Sequence, residues 1–294
     1  MTDSVGTAVL TGIALHEAGS VMQSFTRSNP SPTGTWFFAQ ISGDGVNGLP
    51  SAAHIRLGDL TITHKSADGG TEMSIMYLQG FGHGEAISLS FASPGLYLWL
   101  ECASQQGPTT NVDGWGTKIA RVLYNGGATV TPYDPSVTIY DPFPGQYRLS
   151  PSIDPTSNRI AIRHMDASFN ESYVIYDLTA FAAGDFSTPL LTIPLISPSP
   201  GTQQGWTLLP GGASIGLLTG DHTSGTNPSP PGDTLLTEFN GSGIISQRRL
   251  TEATGLVWRE PEGLDSVSVT GLICNGWTSG PSTAYKANVY SRAF

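Results

Sequence analysis

The sequence is poor in charge, nearly free of cysteine and without any long hydrophobic run. Lys and Arg number 13 against 23 acidic residues, a net charge of −10 within a charged fraction of only 12%. With no basic stripe, binding to bulk nucleic acid or to an anionic membrane is not expected. No apolar stretch approaches the roughly 18 residues of a membrane-spanning helix. The first basic residue is Arg27, so the mildly apolar residues 8–15 lack the positive leader of a secretory signal. Cys102 and Cys274 lie far apart and match no ligand spacing. They read as unpaired strand cysteines, with a single disulfide as the other reading. So few lysines and glutamates also argue against long surface helices.

What is abundant is turn chemistry: 36 glycines and 21 prolines among 294 residues. They break the chain into short runs in which apolar residues alternate, such as TWFFAQI (35–41), DLTITH (59–64), LYLWL (96–100) and SYVIY (172–176). β-branched and aromatic residues dominate these runs, and SNPSPTG, ASPG, DPTSN and PGG separate them, which is the pattern of strands and hairpins. Residues 179–185 are the best helical stretch and supply one or two turns. The fold class is all-β.

The stretch QGFGHG (79–84) has echoes in the rest of the chain. Gln79-Gly80-Phe81 matches Gln23-Ser24-Phe25 and Gln204-Gly205-Trp206, with Gln146-Tyr147-Arg148 between them and Glu260-Pro261-Glu262 after them. Successive intervals from position 23 are 56, 67, 58 and 56 residues, and each echo precedes several short strands. A repeat near 50 residues with about four strands is a β-propeller blade. The 34 residues after position 260 and the 22 before position 23 together match the 56 of one more repeat. Five blades follow, starting near residues 21, 79, 146, 204 and 260. One propeller then spans residues 1–294, and a strand at 6–15 closes the ring beside 285–291 in the last blade. Labelling strands A to D from the axis outward, blade 2 is expected at 84–91, 95–103, 117–124 and 128–133.

This placement decides among chemistries. A phosphate loop needs a helix after its glycines, whereas AISLSF (86–91) alternates as a strand. Gly212-Ala213-Ser214-Ile215-Gly216 fits the G-x-S-x-G nucleophile pattern, but Ser214 falls in an expected strand without a following helix. His83, Glu85, Asp154, Glu260 and Glu262 are expected near the starts of inner strands, where carboxylates facing the channel are the material of a calcium site. The alternative is hydrogen bonding to strand ends and channel water. The six histidines show no HxH or HxxxH pair, and neither a metal nor a cofactor is assigned.

The segment from Gln23 to Glu101, with MYLQGFGHGEAISLSF and YLWLE, resembles the propeller of the teichoic acid biosynthesis protein C-like family. That family includes receptor-binding proteins of phages infecting Gram-positive bacteria. Ser152-Ile153-Asp154-Pro155, Asn158-Arg159-Ile160, Tyr176-Asp177-Leu178, Gly184-Asp185-Phe186, Gln203-Gln204-Gly205-Trp206 and Trp258-Arg259-Glu260-Pro261-Glu262-Gly263 extend the resemblance over about residues 20–294. It implies a propeller of a phage tail or baseplate, commonly trimeric. Such a propeller contacts a host cell-wall polysaccharide or teichoic acid and other tail proteins, without enzymatic activity. The missing leader favours a virion protein, and little of this chain lies outside the five blades to anchor it. A purely structural tail protein and a propeller hydrolase or lactonase are the alternatives.

The longest insertions, 42–58, 104–116 and 220–232, all fall between strands B and C, so that face is the expected recognition surface. Trp115 and Trp206 are the flat surfaces for a sugar ring, with Asn111, Asp113 and His222 as polar contacts; Trp206 also reads as core. His83, Glu260 and Glu262 add groups near the channel. Because the chain is acidic, recognition of a polyanion is expected to rest on sugar substituents or on local cations such as Arg148 and Arg259.

Overall fold

The alternating runs become strands that pair with their neighbours in sequence. The computed structural model describes residues 2–28, 34–106, 113–195, 202–220, 233–253, 255–256, 258–267 and 270–293. Near the N-terminus lie β1 (Thr2–Ser4) and β2 (Thr7–Ala14). Blade 1 is β3 (Met22–Arg27), β4 (Trp36–Ile41), β5 (Leu60–Lys65) and β6 (Glu72–Leu78). Helix α1 (Ser51–Leu57) stands between β4 and β5. Blade 2 begins with β7 (Ser88–Ala92) and β8 (Gly95–Cys102). A two-residue hairpin follows, β9 (Gln105–Gln106) with β10 (Gly114–Trp115), and then β11 (Lys118–Leu123). After β12 (Thr129–Val130), β13 (Val137–Tyr140) completes the blade.

Blade 3 is β14 (Tyr147–Asp154), β15 (Arg159–Met165), β16 (Glu171–Asp177) and β17 (Leu191–Pro194), with α2 (Leu178–Ala182) before its last strand. Blade 4 is β18 (Gln203–Leu208), β19 (Ile215–Thr219), β20 (Leu235–Asn240) and β21 (Gly243–Leu250). Blade 5 joins β22 (Arg259–Val267), β23 (Leu272–Ser279) and β24 (Lys286–Ala293) to β2. The protein is thus a five-bladed β-propeller.

The ring closes as the repeat arithmetic requires. β2 runs antiparallel to β24, with Thr7 opposite Ser291 and Ala14 opposite Lys286. The expected helix at 179–185 is α2, capped by Asp177, whose carboxylate accepts from the Ala180 N–H at 2.9 Å. Cys102 and Cys274 are buried, unpaired strand residues.

Blade 2 departs from expectation in two places. Its inner strand starts at Ser88 rather than 84, because residues 79–87 are used to cross from blade 1. Its outer strand is 137–140, not 128–133. Thr129 and Val130 instead pair in parallel with Tyr77 and Leu78 on the edge of blade 1. β1 does the same to β21 of blade 4. Both additions occupy backbone groups that an outer strand otherwise leaves open.

Five clusters of buried apolar side chains fill the five seams between neighbouring blades. Between blades 1 and 2, for example, Phe37, Ile62 and Met76 meet Leu98, Leu100 and Val122. Between blades 3 and 4, Tyr173 and Ile175 meet Trp206 and Phe239. The remaining seams are filled in the same way. At the axis, a Cβ on Gly205 would lie 2.8 Å from the Cα of Gly263, and one on Gly263 would lie 2.9 Å from the Cα of Ser24. Inner strands of blades 4, 5 and 1 converge too closely there for a side chain.

Candidate functional site

Successive antiparallel strands put the B–C loops and the D–A crossings on one face of the ring, and the A–B and C–D turns on the other. The sequence echoes mark a specific feature of the first face. The β-ladders shift register between Met22 and Ser24, Tyr147 and Ser150, Gln203 and Gly205, and Pro261 and Leu264. Four of the five echoes are therefore bulges where an inner strand begins. A bulge re-aims the residues it contains. Arg148, inside one of them, has a φ of 54°.

The fifth echo, QGFGHG, is the crossing from β6 to β7. Gly80 and Gly84 have φ of 74° and 83°, which suits glycine. Gly82 serves a different need, because a Cβ there would collide with the Glu101 side chain. Glu101 ties two segments together: its carboxylate accepts from the Gly84 N–H at 2.7 Å and from the Gly116 N–H at 2.6 Å. Burial nevertheless pushes its pKa up to about 7, with the Glu85 charge acting in the same direction and the two N–H bonds opposing.

Next to this clamp, Trp115 is only 6% exposed. The His83 ring stacks on it at 4.3 Å between centroids, and the Arg148 guanidinium lies 3.9 Å from its ring centre. Trp115 thus shows no free flat face, contrary to its expected place in an exposed loop. The hairpin of β9 and β10 folds it against the D–A crossing and the start of β14. Desolvation holds the His83 imidazole down to about 4; Arg148 adds to that effect and Asp113 opposes it. His83, Trp115, Asp113 and Arg148 therefore form one cluster.

Arg148 also lies 3.7 Å from Glu171, and Glu171 binds the buried Arg163 through Nη2 at 2.7 Å. Arg163 in turn pairs with Glu85. Glu85 also couples to Glu262, whose pKa is raised well above normal by burial, then by the charges of Glu260 and Glu85. Blades 2 and 5 are not neighbours in the ring, so this coupling runs across the axial channel. Among the described residues, no group of three His, Cys, Asp or Glu side chains is placed to hold a metal ion.

Other expected site residues lie elsewhere. Trp206 is core: it is 1% exposed and donates from Nε1 to Ser150 Oγ at 2.9 Å. Arg259 is buried over the Trp277 ring at 5.0 Å and donates to the Glu252 carbonyl at 2.9 Å. Asp154, expected at a strand start, closes β14 at its far end. There it accepts from Thr156, Ser157 and Gly211 and braces turns on the opposite face. Asn111 and His222 lie outside the described residues. Ser214 immediately precedes β19, and its hydroxyl reaches Glu238 Oε1 at 3.3 Å.

The same face holds an open cleft of about 410 Å³ at the seam of blades 1 and 2. It is lined by Leu49 and Leu57 of the first long B–C loop and by Ala103 and Ser104 at the base of the second. Asp59, Gln79 and Gly80 line it as well, together with Thr131, Pro132 and Tyr133. Sequence reasoning missed this site because it placed 128–133 in a strand. The one available signal was Tyr133 itself, an aromatic between proline and aspartate in TPYDP.

No family model matches the chain, and no curated protein matches it in sequence. Among solved structures, the tail fiber of Staphylococcus aureus phage P68 superposes with a TM-score of 0.70 at 16% identity, over 97% of this chain and 52% of that one. The present chain thus spans about half the length of that tail fiber. A GH62 hydrolase in complex with xylotriose (TM-score 0.46, 9% identity, 99% of this chain and 98% of that one) is more distant. So is a periplasmic gluconolactonase of Pseudomonas aeruginosa (0.39, 13%, 88% and 69%). The fold is that of a propeller also found in a staphylococcal phage tail fiber.

Proposed function

We propose that this chain is the propeller of a phage receptor-binding tail or baseplate protein, and that its B–C face contacts a cell-wall glycopolymer of a Gram-positive host without acting on it chemically. The observation that carries this reading is the asymmetry of the two faces. The B–C face has α1, the β9–β10 hairpin and the cleft, all on a stiff ring. Except for the segments 124–136 with β12 and 178–190 with α2, the A–B and C–D connections described are mostly tight turns. Long loops on a rigid scaffold are the usual place of recognition. The tail-fiber fold supports the virion setting, and a homotrimer, the arrangement implied by the sequence resemblance, is the proposed assembly.

Charge narrows the target. A chain of net charge −10 is repelled by a polyanionic teichoic acid backbone. Of the two cations expected to offset this, Arg148 is spent on Trp115 and Glu171, and Arg259 is buried. Recognition therefore falls to the sugar substituents of the polymer. Sedimentation with purified Gram-positive cell walls, before and after chemical removal of teichoic acid, tests this. Co-sedimentation lost on extraction is the expected result. Absence of binding to every wall leaves a protein that contacts only other virion components, and release of soluble sugar or phosphate from the walls points to a hydrolase.

A further inference from the structure

The cleft at the seam of blades 1 and 2 has a chemical character of its own. At about 410 Å³ it falls toward the lower end of the roughly 300–1,000 Å³ typical of small-molecule sites. That is room for a monosaccharide or a disaccharide. Among its lining residues Tyr133 has 94% of its surface exposed and Leu57 is half exposed. An aromatic ring left this open has an apolar face and a hydroxyl edge with nothing packed on either.

The one charged residue of the lining, Asp59, has both carboxylate oxygens bonded. Gly80 donates to Asp59 Oδ1 at 2.7 Å, and Asp59 Oδ2 lies 2.8 Å from His54 Nδ1. Ser104 N–H donates to the Gly80 carbonyl at 2.9 Å, tying the two blades together beneath the cleft. Beside it, Ala103 has a φ of 55°, a strained conformation for a residue with a Cβ. Such strain persists where the surroundings enforce it and concentrates at functional sites. The Gln79 side-chain amide, both donor and acceptor, has no partner among the described residues, and neither has the Thr131 hydroxyl.

We infer that this cleft binds an uncharged pyranosyl group, whose C–H face lies on Tyr133 and whose hydroxyls bond to Gln79 and Thr131. A phosphate finds no cation among the lining residues and meets the Asp59 carboxylate instead. A purely apolar ligand leaves the Gln79 amide unsatisfied. A sugar ring has the required combination of one apolar face and a hydroxyl rim. The assignment deepens the wall-binding reading and rests on it only for the source of the sugar.

Saturation-transfer NMR on the intact protein tests the assignment, with methyl glucoside, N-acetylglucosamine and N-acetylgalactosamine as probes and glycerol phosphate as the anionic control. At least one neutral sugar is expected to receive transfer while glycerol phosphate does not. Tyr133→Ala and Gln79→Ala should each weaken the apparent affinity about tenfold, the scale of a significant contact residue. Tyr133 is at the surface and Gln79 is half-buried, so melting temperature should stay put in the first variant and shift little in the second. Phe169→Ala, an exposed aromatic on the same face of blade 3, should change nothing. Silence from all three sugars, equal transfer to glycerol phosphate, or unchanged binding in Tyr133→Ala overturns the site. Wall sedimentation of the same proteins reports separately on function: a protein that binds free sugar through Tyr133 but binds no wall keeps the site and loses the wall reading.

Discussion

Trp206 and Trp115 look alike in sequence, each beside glycine, and both are buried, yet they are held in different ways. Trp206 lies in an inner strand, packs edge-on against Tyr173 at 5.0 Å and gives its indole N–H to Ser150. Both blades of its seam are fixed by ladders. Trp115 belongs to a two-residue hairpin strand, its indole Nε1 has no partner among the described residues, and its faces are covered by His83 and Arg148. One tryptophan is enclosed by the scaffold and the other by the elaborated face, which shows that the B–C loops have a small core of their own.

The sharpest way to break this distinction is to remove each ring. Trp206→Ala should cost about 3–5 kcal/mol, the usual range for a large aromatic taken from a core that cannot collapse. Trp115→Ala should cost less, about 2–3 kcal/mol, because a hairpin can settle into the space and no indole hydrogen bond to a described residue is lost. Urea unfolding of both proteins measures the difference. A larger loss at Trp115 would mean that the loop face, and not the blade seam, is the stiffer part. The same result limits how Trp115 is used in binding assays, since a lost wall interaction in that variant reports on the fold as well as on contact.

Glu101 is the link between the two regions, and it titrates. Its folded pKa near 7 lies above the ordinary 4.5, so the folded state holds the proton more tightly than the unfolded one. Its contribution to stability is therefore full below about pH 4.5 and is lost as pH rises through 7. His83 works in the opposite sense: its pKa, lowered to about 4 from 6.5, makes stability fall as pH drops through that interval. Comparing the parent with Glu101→Gln isolates the first effect. Between pH 5.5 and 8 the parent should lose about 2 kcal/mol more than the variant, from a shift of this size. Parallel pH profiles would show that the clamp carries no differential proton.

The architecture was legible because a propeller repeats. The echoes at 23, 79, 146, 204 and 260 recur at places where the backbone itself needs a particular residue, a bulge or a crossing without side chains. Closure by the strand expected at 6–15, observed as Thr7–Ala14, followed from the residues left outside the first and last echoes. The departures come where one blade borrows from another. Thr129 and Val130 read as a strand of their own blade, and only the position of the β6 edge directs them elsewhere. The helical segment 51–57 has two alanines, a basic last turn, a proline before it and a glycine after it, all helix signals, yet at two turns it is too short to show a period and reads as part of a long loop. The site was less legible than the fold. Burial of Trp115 depends on Arg148 arriving from blade 3, and the cleft depends on three segments meeting. Periodicity records neither event.

The smallest expected effect belongs to Ser214, where the sequence pattern for a nucleophile is complete and the structural setting is not. A nucleophile elbow lifts the serine on a tight turn between a strand and a helix, with a base within reach. Ser214 instead stands at the end of the turn that leads into β19, and the residues after it pair with both β18 and β20. Its hydroxyl points toward the Glu238 carboxylate at 3.3 Å, a long bond on a half-buried edge. Such a contact contributes little, so Ser214→Ala should shift stability by no more than about 0.5 kcal/mol. Wall sedimentation should be unaltered, because the residue lies on the A–B side of blade 4, away from the cleft. Ester and wall-polymer hydrolysis assays on parent and variant complete the test: a turnover in the parent that disappears in a folded Ser214→Ala protein would place chemistry on the face that the loops leave bare.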